Sequence, residues 1–534
     1  MNSTMAASDL SGALLPQAWA GSLPGVSLAL LALAISIWFF QASDDWAKLP
    51  GPPPASKLLG HLPQMNVLNV HRFWQDSCQK YGAKGMFKVR LLHMKVVVVS
   101  DPVLIQAIVS RASDLPKAAQ LYDTVDELFS PVGHRSFFNT HDNDEWRVVR
   151  KTTAPAFSPA MIRKAFPKLM DVTSELCDAL AAKVAAGESS VEMSEAAMRV
   201  TLDVIGSTGY GYDFKARTFA RCELFEIIPP LLGEFTLRST NPARAAAHRC
   251  LPFLPEARRF RQRVQACHKW WRILLASVRQ TDLAAAAAEG DTSLRVCLAQ
   301  LPFTDEQLMP NVAAYLIAGF ETTAHSIAWS LYEVASNPAV QRRLEAELCG
   351  AGLLGPAARR LEFGDLAALP FLNCVLKEAM RLHPVASNGS IRKADKEISL
   401  GGYRLAPGTL LWIPFIALLT SRHNWERADE FWPERWELEG QAAAATGAAS
   451  GPTPVGNASN PALTYLPFSS GPRDCIGQNL ALMEARAVIA SIVGRFELGV
   501  APEMGSREDV RNDEVMKLTL QCSKGIRLTL KPRQ

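Results

Sequence analysis

The chain carries ten cysteines, and the surroundings of one of them could turn its thiol into a metal ligand. Cys475 lies in the sequence FSSGPRDCIG, residues 468–477, whose glycines and proline predict a sharp loop directly before a helix from about 476 to 493. Backbone N–H groups at a helix start, together with the positive charge of Arg473, stabilise a thiolate. Because free cysteine is usually a buried apolar residue, the interpretation depends on the whole loop.

A glutamate and a threonine stand side by side in the middle of a long apolar segment that is predicted to be helical. They are Glu321 and Thr322 of the sequence AGFETT, residues 318–323. Glycine and threonine are unfavourable in a helix interior, and a threonine hydroxyl can bond the backbone and distort the turn. Such a distortion would open a pocket, although a kink or a packing notch explains the same residues.

Two further pairs of residues say little when each is taken alone. Glu378 and Arg381 are three residues apart on a predicted helix, a spacing that is common on solvated helix faces. Trp146 and Arg150 occur in the sequence WRVVR. By default, these charged side chains are surface groups.

Together these segments resemble the motifs of cytochromes P-450, in the same chain order. The haem-binding loop of that family reads F-x-x-G-x-R-x-C-x-G, and its fixed positions are met by Phe468, Gly471, Arg473, Cys475 and Gly477. The resemblance implies that Cys475 is the thiolate ligand of a haem iron, a ligand that favours cleavage of the O–O bond. The resemblance extends from about residue 48 to residue 530, and haem is inferred from it alone.

The same resemblance assigns roles to the other candidates. Residues 318–323 match the family's A/G-G-x-D/E-T-T sequence, which implies that Gly319 belongs to the haem site and that Glu321 and Thr322 deliver protons to dioxygen. A guanidinium binds a carboxylate through two parallel hydrogen bonds. The residues implied to contact haem propionates are Trp146, Arg150, Arg392 and Arg473.

The pair Glu378 and Arg381 resembles the family's E-x-x-R motif, and Arg435 of the sequence FWPERW completes it. The resemblance implies that these three side chains form a buried ion network around the haem loop. Trp436 stands where the family usually has phenylalanine, a mild departure that leaves the arginine in place.

The predicted elements are mainly helices. A capping box at Thr304 and Gln307 predicts the start of a helix that ends before Pro338, about 32 residues or roughly 48 Å long. The other predicted elements are helices at 160–186, 258–279, 338–350 and 370–383 and strands at 397–405 and 409–416.

An apolar N-terminal segment predicts a membrane anchor. Residues 25–40 read GVSLALLALAISIWFF, and with Leu23 they just reach the length of a spanning helix. Basic residues follow this segment, which favours a cytosolic location for the rest of the chain. The sequence LPGPPP, residues 49–54, predicts a stiff extended spacer. The predicted units are a lumenal segment (1–22), a transmembrane anchor (23–40), a proline-rich hinge (41–57) and a catalytic domain (58–534) with a low-complexity loop insertion (439–461).

The composition excludes several other classes of protein. The formal net charge is +4 for 534 residues, and the chain has no arginine-rich arm, so nucleic acid is not expected as a partner. The cysteines form no C-x-x-C pair, and their spacing predicts neither a zinc site nor a disulfide framework. Reduced thiols in a cytosol-facing domain are expected instead.

The fold that the resemblance implies is the mainly α cytochrome P-450 fold with a small β region, preceded by one N-terminal transmembrane helix. The implied enzyme is a monooxygenase that inserts one oxygen atom of dioxygen into a lipophilic substrate. Its cofactor is haem b, and its electrons come from NADPH through NADPH–cytochrome P-450 reductase, with cytochrome b5 as a second candidate donor. The expected location is the endoplasmic-reticulum membrane, with a plastid membrane as the alternative.

Two other functions remain open at this stage. A haem-thiolate isomerase or dehydratase would rearrange a lipid hydroperoxide without dioxygen or a reductase, and a non-catalytic haem protein would do no chemistry. The pair Glu321 and Thr322 argues against the first, because such an enzyme needs no proton delivery. The segments expected to line the substrate pocket, 116–139 and 225–238, carry no pattern that identifies the substrate.

Overall fold

The computed structural model of the protein describes residues 44–533, apart from residues 66, 111–114, 119–125, 127, 132, 141–142 and 438–463. The predicted lumenal segment, the predicted anchor at 23–40 and the predicted loop insertion at 439–461 lie outside the described residues. Within residues 44–533, so delimited, no helix is long and apolar enough to cross a membrane.

Helices dominate the described chain, as predicted. They are α1 (Val70–Tyr81), α2 (Pro102–Val109), α3 (Asn143–Thr153), α4 (Pro159–Ala185), α5 (Met193–Val204), α6 (Glu223–Thr240), α7 (Pro242–Cys250), α8 (Pro255–Arg279), α9 (Leu283–Ala288), α10 (Leu294–Ala299), α11 (Asp305–Ser336), α12 (Pro338–Gly350), α13 (Pro370–Leu382), α14 (Phe415–Leu419), α15 (Gln478–Arg495) and α16 (Arg507–Asn512). A π-helical turn, Ile205–Tyr210, continues α5.

The strands form small sheets at the margins of the helical body. They are β1 (Met86–Leu91), β2 (Met94–Val99), β3 (Val191–Glu192), β4 (Ser390–Lys393), β5 (Ile398–Leu400), β6 (Tyr403–Leu405), β7 (Leu410–Ile413), β8 (Phe496–Val500), β9 (Glu514–Lys517), β10 (Thr519–Cys522) and β11 (Arg527–Pro532). The largest sheet has the order β1-β2-β7-β4, in which only β2 and β7 are parallel. The others are β3-β11-β8 and the hairpins β5-β6 and β9-β10.

The long central helix is confirmed. α11 is 32 residues long, and both hydrogen bonds of the capping box between Thr304 and Gln307 are present. Almost every residue of α11 after its first turn is buried, and the helix packs against α5, α8, α13 and α15. It therefore runs through the middle of the body, where a polar side chain has to find a partner or a cavity. The predicted bounds of α12 and α13 are confirmed to within a residue.

The prediction of one continuous strand at 397–405 is wrong. Gly401 and Gly402 both adopt left-handed conformations, with φ of 55° and 84°, and turn the chain back on itself. The segment is therefore the antiparallel hairpin β5-β6. The strand predicted at 409–416 ends earlier than expected, because Pro414 caps the start of α14.

The proline-rich segment is not helical and lies against the edge strand β1. The N–H of Lys88 in β1 donates to the carbonyl oxygen of Pro50 at 2.8 Å, and Leu49 is buried. A Cβ atom at Gly51 would collide with the carbonyl oxygen of Lys88, so this close approach requires glycine. In the described structure, residues 49–54 thus form part of the folded body.

The predicted ion network is present and joins α13 to the segment at 419–435. Glu378 and Arg381 have no exposed side-chain surface, and Arg381 donates hydrogen bonds to both carboxylate oxygens at 3.1 and 2.9 Å. Arg435 donates to the same carboxylate at 3.0 Å. The remaining N–H groups of Arg381 bind the carbonyl oxygens of Leu419, Ala428 and Glu430.

Trp436, the departure from the family motif, takes part in this network. Its indole N–H donates to Glu378 at 2.9 Å, a bond that phenylalanine cannot make. The Trp436 ring also packs edge-on against the ring of Tyr465, whose hydroxyl donates to the carbonyl oxygen of Lys377 in α13 at 3.2 Å. Tyr465 lies three residues before the loop at 468–477, so these contacts connect the network to the segment that enters the loop.

Replacing Arg381 by alanine is expected to give little folded, haem-containing protein. Removal of one partner from a buried ion network costs about 3–5 kcal/mol, because the other charge stays buried without compensation. Arg422→Ala is the matched control, since Arg422 pairs with Asp429 but its side chain is 70% exposed and should contribute about 1 kcal/mol or less. Haem-protein yield and urea unfolding of both variants test this, and equal stability would contradict the buried role.

Candidate active site

The loop at 468–477 is shaped by its backbone. Ser469 and Gly471 adopt left-handed conformations, with φ of 63° and 77°. A Cβ atom at Gly471 would collide with the carbonyl oxygen of Val109, so this position requires glycine. The N–H of Cys475 donates to the carbonyl oxygen of Phe468 at 3.0 Å and closes the loop, and α15 begins shortly afterwards. The loop therefore holds Cys475 at the start of a helix, as predicted.

Cys475 faces a mainly apolar cavity between this loop and the middle of α11. The sequence-predicted residues on the wall of the cavity are Trp146, Arg150, Gly319, Thr322, Phe468, Arg473, Cys475 and Gly477. The predicted residues that do not line it are Glu321, Arg392 and Gly471. The structure thus brings together most, but not all, of the predicted site.

Thr322 lies on the cavity face of α11. Its hydroxyl donates to the carbonyl oxygen of Ala318 at 2.7 Å, and the hydroxyl of Ser326, one turn later on the same wall, donates to the carbonyl oxygen of Thr322 at 3.0 Å. Each hydroxyl uses its proton on the helix backbone and keeps its oxygen free to accept. Two hydroxyl groups of α11 are therefore available at the cavity surface.

Glu321 does not share this surface. Its side chain is buried, and Oε1 accepts a hydrogen bond from the hydroxyl of Thr519 in β10 at 2.9 Å. Burial raises the pKa of Glu321 to about 8, although the hydrogen bond from Thr519 acts in the opposite direction. At about 100° per residue, Glu321 lies outside the helix face that lines the cavity, which is formed by Ala318, Gly319, Thr322, Thr323 and Ser326.

Gly319 is explained by close packing. A Cβ atom at this position would lie 3.0 Å from Cγ1 of Ile205, at the start of the π-helical turn that continues α5. This distance is shorter than ordinary van der Waals contact, so glycine lets α5 approach α11 beside the cavity. The packing notch considered from the sequence is thus present, on the helix that also carries Thr322.

Basic side chains gather at one edge of the cavity. The guanidinium of Arg473 stacks on the ring of Trp146, 4.1 Å from its centre. Burial and the positive charge of neighbouring arginines, Arg392 first, lower the pKa of Arg473 to about 10. Burial and the charges of Arg392 and Arg473 also hold the pKa of Lys117 well below its usual value. This edge therefore has a positive potential that favours a bound anion.

Arg150 links α3 to the cysteine loop. One of its nitrogen atoms donates to the carbonyl oxygen of Asp474 at 2.6 Å, and another donates to the Asp474 carboxylate. Arg150 also lines the cavity. In this structure its guanidinium therefore holds the residue next to Cys475.

Two opposing effects act on the thiol of Cys475. Burial raises its pKa overall, although the N–H of Gly477 and the charge of Arg150 act in the opposite direction. The N–H groups at the helix start therefore act in the predicted direction, and the loss of hydration opposes them.

Several residues of the cavity wall were not predicted individually. Tyr315 lies seven residues before Thr322, two helical turns away, and its ring stacks on Phe137 at 4.3 Å. Burial holds the pKa of Glu484, in α15, well above its usual value. Lys117 and Phe137 belong to the segment 116–139 that was expected to line a pocket, whereas no described residue of 225–238 lines this cavity.

Comparison with known proteins is consistent with this arrangement. A model of the cytochrome P-450 family matches residues 50–525. Cytochrome P-450 monooxygenase 205 of Postia placenta is 26% identical over 90% of this chain and 92% of its own length. A cytokinin hydroxylase of Arabidopsis thaliana is 26% identical over 73% of this chain and 71% of its own. The protein LUTEIN DEFICIENT 5, chloroplastic, of the same plant is 27% identical over 82% and 72%.

The family match spans most of the chain, from the proline-rich segment to beyond the cysteine loop. The chain therefore belongs to the cytochrome P-450 family. It is an oxidoreductase, and this removes the alternative of a non-catalytic haem protein.

The family implies a haem with a cysteine thiolate ligand, and the described residues fit this group. Cys475 offers sulfur at the cavity wall, and the positive edge around Arg473 suits the two carboxylates of a haem. Gly477 adjoins the ligand, since a Cβ atom there would lie 4.0 Å from the Cys475 sulfur, at ordinary van der Waals distance. When bound, haem supplies the redox chemistry, and a thiol that ligates a metal loses its proton.

Cys475→Ser is expected to abolish the long-wavelength absorption band of the reduced, CO-bound haem, because that band requires a thiolate ligand. Cys349→Ser is the control, since Cys349 is exposed and lies on α12, and it should leave the band unchanged. Absorption spectra of both variants provide the measurement. A band that survives in Cys475→Ser would assign the ligand to another cysteine.

Proposed function

We propose that this cytochrome P-450 inserts one oxygen atom of dioxygen into a lipophilic substrate, with electrons from NADPH. The observation that carries the proposal is the placement of Cys475 and Thr322 on the same apolar cavity, one on the loop and the other on α11. A cysteine thiolate ligand favours cleavage of the O–O bond, and a positioned hydroxyl can take part in proton transfer.

We assign different roles to different residues of the site. Cys475 would hold the iron, and the basic edge with Arg473 and Trp146 would bind the haem carboxylates. Thr322 and Ser326 offer hydroxyl oxygens that can accept a hydrogen bond and hold water. Glu321 is proposed as the acid that supplies protons to this hydroxyl face. The aromatic wall of Phe137 and Tyr315 favours an apolar substrate and excludes bulk water.

NADPH–cytochrome P-450 reductase is the proposed electron donor, with cytochrome b5 as a second donor. We place the enzyme at the endoplasmic-reticulum membrane through the apolar segment at 23–40. A plastid membrane is the alternative, since one relative at 27% identity is named chloroplastic.

Turnover with NADPH and reductase tests the reaction class. The expected result is NADPH consumption that a lipophilic ligand stimulates, together with an oxygenated product. Suitable ligands can be selected from a lipid extract by their ability to shift the ferric haem from low to high spin. Turnover of a lipid hydroperoxide without NADPH or reductase would instead identify an isomerase or dehydratase.

Thr322→Ala is expected to uncouple the reaction. If the Thr322 hydroxyl helps to deliver protons, its loss lets reduced oxygen leave as peroxide, so NADPH consumption continues while product per NADPH falls. Positioned acid–base groups contribute about 10²–10⁴-fold in rate, so a clear fall is expected. Ser330→Ala is the matched control, because the Ser330 hydroxyl makes the same kind of backbone bond further along α11 but does not line the cavity. Unchanged coupling in Thr322→Ala would leave only a structural role for Thr322.

A further inference from the structure

A buried polar cluster lies on the side of α11 that does not line the cavity. It consists of Glu321 and His325 of α11 and Thr519 of β10, and all three side chains are buried. The Thr519 hydroxyl lies 2.9 Å from Oε1 of Glu321 and 3.2 Å from Nδ1 of His325. Oε2 of Glu321 and Nε2 of His325 have no hydrogen-bond partner within the described chain. Polar atoms that are buried in a protein core without a hydrogen-bond partner lower its stability, so such a cluster calls for an explanation.

The hydrogen bonds of the cluster have a definite direction. Nδ1 of His325 lies 2.9 Å from the carbonyl oxygen of Glu321, and a carbonyl oxygen can only accept, so Nδ1 carries the proton. The same N–H points towards the Thr519 oxygen, which leaves the hydroxyl proton of Thr519 to be donated to Glu321. Burial lowers the pKa of His325 to about 4, in agreement with a neutral imidazole.

Thr519 is held firmly in place from several sides. It follows Leu518, which adopts a left-handed conformation with φ of 68° at the tip of the hairpin β9-β10. The N–H of Leu518 donates to the hydroxyl of Thr236 in α6 at 3.0 Å. The indole N–H of Trp329 in α11 donates to the carbonyl oxygen of Leu520 at 3.1 Å. The hydroxyl of Thr519 therefore reaches Glu321 from a fixed backbone.

The elements packed around the cluster bring one charge and two hydroxyl groups. Lys517 of β9 contributes a positive charge that further lowers the pKa of His325. The hydroxyl of Thr201 in α5 donates to the carbonyl oxygen of Phe320, and the hydroxyl of Thr236 in α6 accepts from the N–H of Leu518. The pKa of Glu321 is therefore governed by burial, which raises it, and by Thr519, which lowers it.

We propose that Thr519, supported by His325, is the positioning residue of Glu321 and holds its carboxyl group in a fixed place on the side of α11 that does not line the cavity. This inference rests on the proposed role of Glu321 in proton delivery and adds residues from outside the family's helix motif. A hydrogen bond from Thr519 stabilises the ionised carboxylate more than the neutral acid, so it sets the pH at which Glu321 gives up its proton.

Infrared titration of the haem-containing protein tests the positioning directly. The carbonyl stretch of a protonated carboxyl group reports the state of Glu321, and subtraction of the Glu321→Gln spectrum removes the bands of other buried acids such as Glu484. In Thr519→Val, which keeps the shape but loses the donor, the midpoint should move to higher pH by on the order of one unit. Thr519→Ser should restore the wild-type midpoint.

Thr201→Val is the matched control for the loss of a buried threonine hydroxyl. Thr201 in α5 donates to the carbonyl oxygen of Phe320 and not to the carboxyl group of Glu321, so the infrared midpoint should stay unchanged. The long-wavelength CO band of each variant verifies that its haem site is intact. An unchanged midpoint in Thr519→Val, with the band preserved, would overturn the positioning role.

The pH dependence of product per NADPH separates this inference from the proposed function. If both hold, coupling falls as Glu321 ionises, and Thr519→Val moves that fall to higher pH by the same amount as the infrared midpoint. A shifted midpoint with coupling that is normal even in Glu321→Gln would support the positioning and refute proton delivery by Glu321. Loss of coupling in Glu321→Gln, with both midpoint and coupling unchanged in Thr519→Val, would refute the positioning alone.

Discussion

The carboxylate of Glu378 has no exposed surface and accepts hydrogen bonds from two arginines, from the backbone N–H of Trp432 and from the indole of Trp436. Moving such a group out of water costs several kcal/mol, which only a complete set of partners offsets. Apart from Arg381, these partners lie more than fifty positions later in the chain, so satisfying Glu378 fixes the path of the segment that carries them. The same segment leads through Trp436 and Tyr465 towards the cysteine loop. The neutralisation of a buried carboxylate therefore also helps to fix the chain where it enters the loop that carries Cys475.

The parts of the fold that could be predicted are those with local causes. The long helix α11 starts at a capping box and ends before Pro338, and both signals lie within a few residues of the boundaries that they set. The loop at 468–477 needs glycine at position 471 for its own backbone. The pair Gly401 and Gly402 is also a local signal, which the prediction of one continuous strand at 397–405 did not take into account.

The parts that could not be predicted depend on contacts distant in sequence. Glu321 points away from the cavity and finds its hydrogen-bond partner in Thr519, almost two hundred residues later. Lys117 lies near Arg392 and Arg473 in the folded chain, where β4, which carries Arg392, pairs with β7. The pKa of Cys475 also depends on distant residues, since burial, which raises it, is set by everything that surrounds the loop. The motifs thus locate the residues of the site, while tertiary packing decides the direction in which each side chain points.

The proline-rich segment has a consequence for shortening this chain. β1 is the edge strand of its sheet, and its outward N–H groups at Lys88 and Arg90 are bound by the carbonyl oxygen of Pro50 and by Nδ1 of His61. A chain that begins after His61 would expose these donors as a free strand edge, which is a template for pairing with a second molecule. A chain that begins at Asp44 keeps the edge covered and also retains the hydrogen bond from the Trp46 indole to Val96. The residues before the first helix therefore cover the edge strand and disfavour self-association. The starting residue of a shortened protein should then influence whether it stays monomeric.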